Sequence, residues 1–141
     1  MEKEIDIRQY SPLALAYMGD CIFDLLVRTY LLKQANMPAN KLHQKSKALV
    51  NATSQSKMYK HLLDIVTEEE RTVLKRGRNA HTNTKAKNAT MIDYKNATGL
   101  EALFGYLYLI KQEKRIDELF KICLEIMNKE NEDEKTKEKQ N

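Results

Sequence analysis

Asp20 and Glu101 are the side chains best placed to do chemistry in this sequence. Each interrupts a long apolar run. The first reads Ala14-Leu-Ala-Tyr-Met-Gly-Asp20-Cys-Ile-Phe-Asp24-Leu-Leu-Val27, and the second Gly99-Leu-Glu101-Ala-Leu-Phe-Gly-Tyr-Leu-Tyr-Leu-Ile110. A helix that is apolar on every face belongs in a core. An ionised carboxylate there is costly unless a cation or hydrogen-bond donors compensate it. Two such carboxylates, distant in sequence, are most economically explained by one shared site, most simply a divalent metal with oxygen ligands. Asp24 and Arg28 follow Asp20 at four-residue steps, the spacing of a helix-surface ion pair. Asp24 is therefore assigned to Arg28, and Asp20 to function. Glu101 has a competing reading, a lysine partner or the amides at the start of its own helix, where the dipole favours a carboxylate.

Other chemistries fit less well. There is no glycine-rich phosphate loop, which argues against a nucleoside-triphosphate enzyme. His43 or His61 with Ser46 or Ser56 makes a poor triad, since a lone histidine on a basic helix face is a phosphate contact or an inert surface residue. Cys21 and Cys123 lack CxxC spacing and fall on apolar faces, so both are expected to be reduced core residues of a cytoplasmic protein. Tyr17, Tyr106 and Tyr108 are expected in the core or at a dimer interface.

The charge is unevenly spread. The 141 residues carry a net +4. No acid occurs from Leu25 to Leu63, a stretch holding Arg28, Lys33, Lys41, Lys45, Lys47, Lys57 and Lys60. None occurs from Arg71 to Ile92, which holds Arg71, Lys75, Arg76, Arg78, Lys85 and Lys87. His43, His61 and His81 lie in the same two stretches. Solvated helix faces would be the bland explanation, but long acid-free basic runs favour a polyanion surface.

These residues have to be positioned by helices. Gly 4 and Pro 2 leave little material for the turns of an all-β fold. Ser11-Pro12 opens a helix that should run to about Gln34, with Ser as N-cap and Pro at the first helical position. Asn40 is a candidate cap for a helix over about 41–51, and a third helix covers about 54–66. Thr67-Glu-Glu-Glu70 is a capping box for a fourth, through about Arg76, with Gly77 as its stop or hinge. Arg78 to about Lys95 has no apolar periodicity and reads as a long functional or disordered loop. Asn96 or Thr98 then caps the Glu101 helix, which ends near Gln112. A last amphipathic helix presents Ile116, Leu119, Phe120, Cys123, Leu124, Ile126 and Met127. Residues 128–141 hold five acids and four bases and read as a disordered tail, leaving about +5 on residues 1–127, a single domain. No signal peptide is visible. The apolar run 13–32 contains Asp20, Asp24 and Arg28, so a spanning helix is not expected.

Leu15-Ala-Tyr-Met-Gly-Asp20-Cys-Ile-Phe-Asp24 resembles the ribonuclease III signature, in which an acid lies in a Gly-Asp pair on a buried helix. Thr98-Gly-Leu-Glu101-Ala-Leu-Phe-Gly-Tyr-Leu-Tyr-Leu resembles the second acidic motif of that family. Leu42-His-Gln-Lys-Ser46 and Leu74-Lys-Arg-Gly-Arg-Asn-Ala80 are similar to motifs of its Mini-ribonuclease III branch. Two positions depart from the full-length enzymes: Ala16 and Thr98 stand where acids are usual, leaving Asp20 and Glu101 as the acidic pair, as in that branch. A separate double-stranded-RNA-binding domain is not expected, again as in that branch.

The resemblance implies an all-α, ribonuclease III endonuclease-like helical bundle. It implies a homodimer in which Tyr17 sits at a dimer contact. Asp20 and Glu101 would be the catalytic, Mg²⁺-holding residues of an endoribonuclease that cuts duplex RNA, leaving 5′-phosphate and 3′-hydroxyl ends. The implied substrate is precursor 23S ribosomal RNA, with a ribosomal protein as a possible helper. Lys45, Lys75, Arg76, Arg78, Asn79, Lys85 and Lys87 are the expected RNA contacts. Asn83 and Asn88 flank the last two. The rival readings are a non-catalytic duplex-RNA-binding or ribosome-assembly factor on the same fold, and a helical DNA-binding regulator.

Overall fold

The computed structural model describes residues 6–80 and 90–140. After a single 3-10 turn at Ile7–Gln9 come six helices: α1 (Pro12–Gln34), α2 (Ala39–Leu49), α3 (Ala52–Leu62), α4 (Glu68–Asn79), α5 (Met91–Leu109) and α6 (Glu113–Gln140). No strand occurs among the described residues, so the bundle is all-α as expected.

The caps show why the helices start where they do. Ser11 accepts from the Ala14 amide and Pro12 opens α1. Asn51 accepts from the Ser54 amide (2.8 Å) and starts α3. Thr67 and Glu70 form the reciprocal box that starts α4. Asn40 is not the cap of α2: Pro38 holds that position without a side-chain bond, and Asn40 lies inside the first turn. Thr90, not Asn96 or Thr98, caps α5. The helix therefore begins two turns earlier than the sequence suggests, and Glu101 sits in its middle rather than its first turn.

Helix α5 is the centre of the bundle. It runs along α1 and packs on α3 and α4, with α2 and α6 outside. From Asn96 to Leu107 every residue but Glu101 is buried. Phe23 from α1 meets Phe104 of α5 and Phe120 of α6 edge-on, at centroid distances of 5.6 and 5.8 Å. A last buried tie joins α4 to α6. Arg115 donates from Nε and Nη2 to Glu70 at 2.8 and 2.9 Å, and this guanidinium holds the Glu70 carboxyl below its usual range.

Three other expectations change. Helix α1 is not buried on every face: Tyr17, Cys21, Leu25 and Leu32 are exposed, while Leu15, Phe23, Val27 and Leu31 face the core. Gly77 neither stops nor hinges α4, which runs on to Asn79. A Cβ there would stand 2.8 Å from the Ala102 Cβ and the Gly99 Cα, so the glycine lets α4 press on α5. Finally, the stretch after Asn128 continues α6 to Gln140 instead of forming an irregular tail. It lacks an apolar stripe, but its glutamates and lysines are good helix formers. The Lys57–Glu130 bridge (3.0 Å) ties it to α3.

Candidate active site

The site is made by a crossing of backbones. Gly19 of α1 and Gly105 of α5 meet where the helices cross. A Cβ on Gly19 would collide with the carbonyl of Glu101, and one on Gly105 with the carbonyl of Leu15. With no side chains between them the two helices touch. Asp20, the next residue on α1, then comes within hydrogen-bonding reach of Glu101. Asp20 is exposed and Glu101 half-buried, so the pair forms a small acidic notch with one open side.

Its electrostatics follow from that placement. Burial first, then the hydrogen bond to Asp20 and its negative charge, push the Glu101 carboxyl up to about 8. Two carboxylates this close do not ionise together cheaply. No basic side chain pairs with either one among the described residues. Asp24 does pair with Arg28, at 3.0 Å, as its spacing predicts.

This donor set suits a small hard divalent cation. Such ions take one or two carboxylates, and fill their remaining positions with water and substrate phosphate oxygens. A cation would also offset the repulsion within the pair. No cluster of three or more ligand-type side chains forms among the described residues. Ala16 is buried, and the Thr98 hydroxyl donates to the Tyr94 carbonyl of its own helix (3.0 Å). Neither position offers a carboxylate to the pair.

The expected RNA contacts are spread over two helices. Lys45 is exposed on α2. Lys75, Arg76 and Asn79 are exposed on the last turns of α4, and Arg78 is half-buried beside them. Among the described residues, none of the four cations in this set pairs with a carboxylate. Lys85 and Lys87, with His81, Asn83 and Asn88, lie outside the described residues. His43 lines, with Arg28 and Ser46, a cavity of about 210 Å³ between α1 and α2 floored by Leu31, Leu32 and Leu42.

Some participants were not found from sequence. Ser56 and Asn96 are buried and joined to Arg78 by hydrogen bonds. The sequence signal for Asn96 is an amide at the edge of an apolar run, which equally suits a helix cap, the position that Thr90 holds instead. Gly19 and Gly105 flank the acidic residues in sequence, and their position inside apolar runs marks a helix crossing. Cys21, expected in the core, is exposed, while Cys123 is buried.

Residues 13–112 match the Ribonuclease III domain family. The Mini-ribonuclease 3 of Clostridium tetani is 40% identical over 130 residues, covering 92% of this chain and 86% of that protein. The Mini-ribonuclease 3 of Staphylococcus aureus is 42% identical over 129 residues, covering 90% and 96%. A crystal structure of a Fusobacterium nucleatum protein superposes with a TM-score of 0.78 at 38% identity, covering 86% of this chain and 98% of that one. The chain belongs to the ribonuclease III family, in its Mini-ribonuclease 3 branch, and is an endoribonuclease.

Proposed function

We propose that this endoribonuclease cuts double-stranded RNA in a Mg²⁺-dependent reaction, working in the cytoplasm as a homodimer that matures precursor 23S ribosomal RNA. The observation that carries this reading is the Asp20–Glu101 pair at the α1–α5 crossing. Asp20 and Glu101 would hold the cation, which when bound supplies an acidified water and charge stabilisation at the scissile phosphate. Asp20 faces the solvent side, where a phosphodiester arrives, and Glu101 anchors the site from α5. Lys45, Lys75, Arg76, Arg78, Lys85 and Lys87 hold the flanking phosphates, and Asn79 reaches a ribose. Recognition is mainly of A-form shape and 2′-hydroxyls, because the deep major groove hides base edges. Tyr17 packs against the partner subunit, and each subunit cuts one strand, leaving 5′-phosphate and 3′-hydroxyl ends with a short 3′ overhang. A ribosomal protein that shapes the precursor is a fitting helper. No helix among the described residues is long and apolar enough to cross a membrane.

The deciding experiment incubates the purified protein with long duplex RNA, and with a 23S precursor helix, with and without Mg²⁺. Cleavage should require Mg²⁺ and fall at one position in the precursor. Asp20→Asn and Glu101→Gln should each abolish cleavage while leaving duplex binding largely intact, and Asp24→Asn should do much less. Wild-type cleavage by Asp20→Asn would remove the proposed site.

A further inference from the structure

We propose that Asn96 is a positioning residue that fixes Arg78 for contact with an RNA phosphate while leaving its positive charge unneutralised. This rests on the reading of the end of α4 as part of the RNA-binding face.

Five of the chain's six arginines, all but Arg76, are held in one of two ways. Arg8, Arg28, Arg71 and Arg115 each pair with a carboxylate, from Asp6, Asp24, Glu68 and Glu70 in turn. Arg78 is anchored by a neutral amide instead: its Nε donates to Asn96 Oδ1 at 3.0 Å. The amide is itself fixed, because its Nδ2 donates to Ser56 Oγ at 3.0 Å. Asn96 is 2% exposed and Ser56 1% exposed. Rotating the amide would turn its donor toward the guanidinium, which has only donors. The relay therefore permits one orientation.

Nothing else in the described structure consumes the charge on Arg78. Its Nη1 reaches only the neutral oxygen of the exposed Asn79, at 3.3 Å. Its field is felt nearby: burial pushes the Tyr59 hydroxyl up, and the positive charge of Arg78 pulls against that shift. A guanidinium tied at Nε by a neutral partner keeps its outer nitrogens and its full charge for a planar phosphate contact. A carboxylate at the same place would fix the side chain but cancel the charge. Burying an amide in the middle of α5 is costly unless both its ends are satisfied. Here Ser56 and Arg78 satisfy both.

The competing account is purely structural, with Asn96 tying α5 to α3 and α4. Asn96→Asp separates the two. The aspartate is isosteric, can still accept from Arg78, and can accept from the Ser56 hydroxyl as donor. A tie between helices survives this change, but an unneutralised arginine does not. The expected result for the full-length variant is a folded protein with weaker duplex RNA binding, uniformly across sequences. The slope of log affinity against log salt should flatten by about 0.7–0.9, the value of one phosphate contact. The effect should fall on KM more than on kcat. Arg78→Ala should lose the same increment of slope.

If Arg78→Ala flattens the slope and folded Asn96→Asp does not, the role of Asn96 is overturned and the RNA face stands. If Arg78→Ala leaves the slope unchanged, the RNA face is wrong at Arg78 and the proposal falls with it. If Asn96→Asp does not fold, the milder Ser56→Ala decides through a double-mutant cycle with Arg78→Ala. Loss of RNA affinity from Ser56→Ala only while Arg78 is present supports the relay. Additive losses overturn it.

Discussion

Gly19 and Gly105 stand against each other at the α1–α5 crossing, each leaving room for a backbone carbonyl of the opposite helix, those of Glu101 and Leu15. That contact places Asp20 beside Glu101. A methyl group at either glycine meets backbone, which cannot turn aside, so the helices have to part. Overpacking of this kind costs about 1–3 kcal/mol. Catalysis should suffer more, since a misplacement of about 1 Å can cost about a hundredfold in rate. Gly19→Ala and Gly105→Ala should therefore lose cleavage at temperatures where circular dichroism shows them fully folded. Unimpaired cleavage by either variant would mean that the crossing does not set the carboxylate geometry.

Glu70 is buried at the start of α4 and bound by Arg115 from α6 and by the Thr67 amide. These donors lower its pKa against the opposing effect of burial. The folded protein thus binds a proton at Glu70 less readily than the unfolded chain. The stabilisation is fully present above the ordinary carboxylate value of 4.5 and is lost as the pH falls through the lower folded value. Arg115→Ala, which strands the carboxylate, should cost about 3 kcal/mol at pH 7. Urea melts of wild type and Arg115→Ala should differ most at neutral pH and converge in acid. A gap that stays constant down to pH 3 would contradict this account.

Much of the fold was legible because local chemistry and tertiary structure agree. Ser11-Pro12 and Thr67-Glu70 are sequence signals whose bonds are satisfied within four residues, so they start α1 and α4 as read. Asn96 and Thr98 misled for the opposite reason: polar residues in an apolar run look like caps, yet Asn96 bonds across to Ser56 and Thr98 back to Tyr94. Glycines invite a turn reading, but Gly19, Gly77, Gly99 and Gly105 all lie inside helices at close approaches. Asp20 and Glu101 stood out because carboxylates in apolar helices need a reason. That they meet depends on the crossing, which no local spacing encodes. The open face of α1 was legible only at Tyr17, which the resemblance places at a dimer contact; Cys21, Leu25 and Leu32 have the composition of a core and are exposed.

Lys111 ends α5 in a strained way. Its φ is 61°, the left-handed region that usually takes glycine. The Gln112 amide reaches back to the Leu107 carbonyl (2.9 Å) and the Lys111 amide to that of Tyr108 (3.0 Å), the two bonds of a Schellman turn. A lysine there bears a Cβ penalty of about 1–2 kcal/mol, partly offset because glycine gains more freedom on unfolding. Lys111→Gly should stabilise the protein by about 0.5–1 kcal/mol in thermal or urea melts, with cleavage unchanged. A loss of stability would mean that the aliphatic stem of Lys111 packs more usefully than its conformation suggests.

The outer face of α1 carries Leu13, Tyr17, Leu25 and Leu32, with exposures of 40, 82, 59 and 57%. Their spacing places Leu13, Tyr17, Cys21 and Leu25 one turn apart along a single stripe. An apolar stripe of this length is unusual on a lone domain and marks an association surface. The proposed homodimer supplies the cover, because a two-fold interface sets the same patch of each copy against the other. Tyr17, the most exposed and an aromatic side chain, is the natural anchor, and anchors of this type cost 2 kcal/mol or more when lost. Tyr17→Glu should therefore convert the dimer to monomer in sedimentation at micromolar concentration. In the monomer the fold should hold, because the replaced side chain touches little of its own domain. Cutting of both strands should fail first, since each active site has lost its partner across the duplex. A Tyr17→Glu protein that remains dimeric, or a wild-type protein that is monomeric and fully active, would exclude this face as the interface.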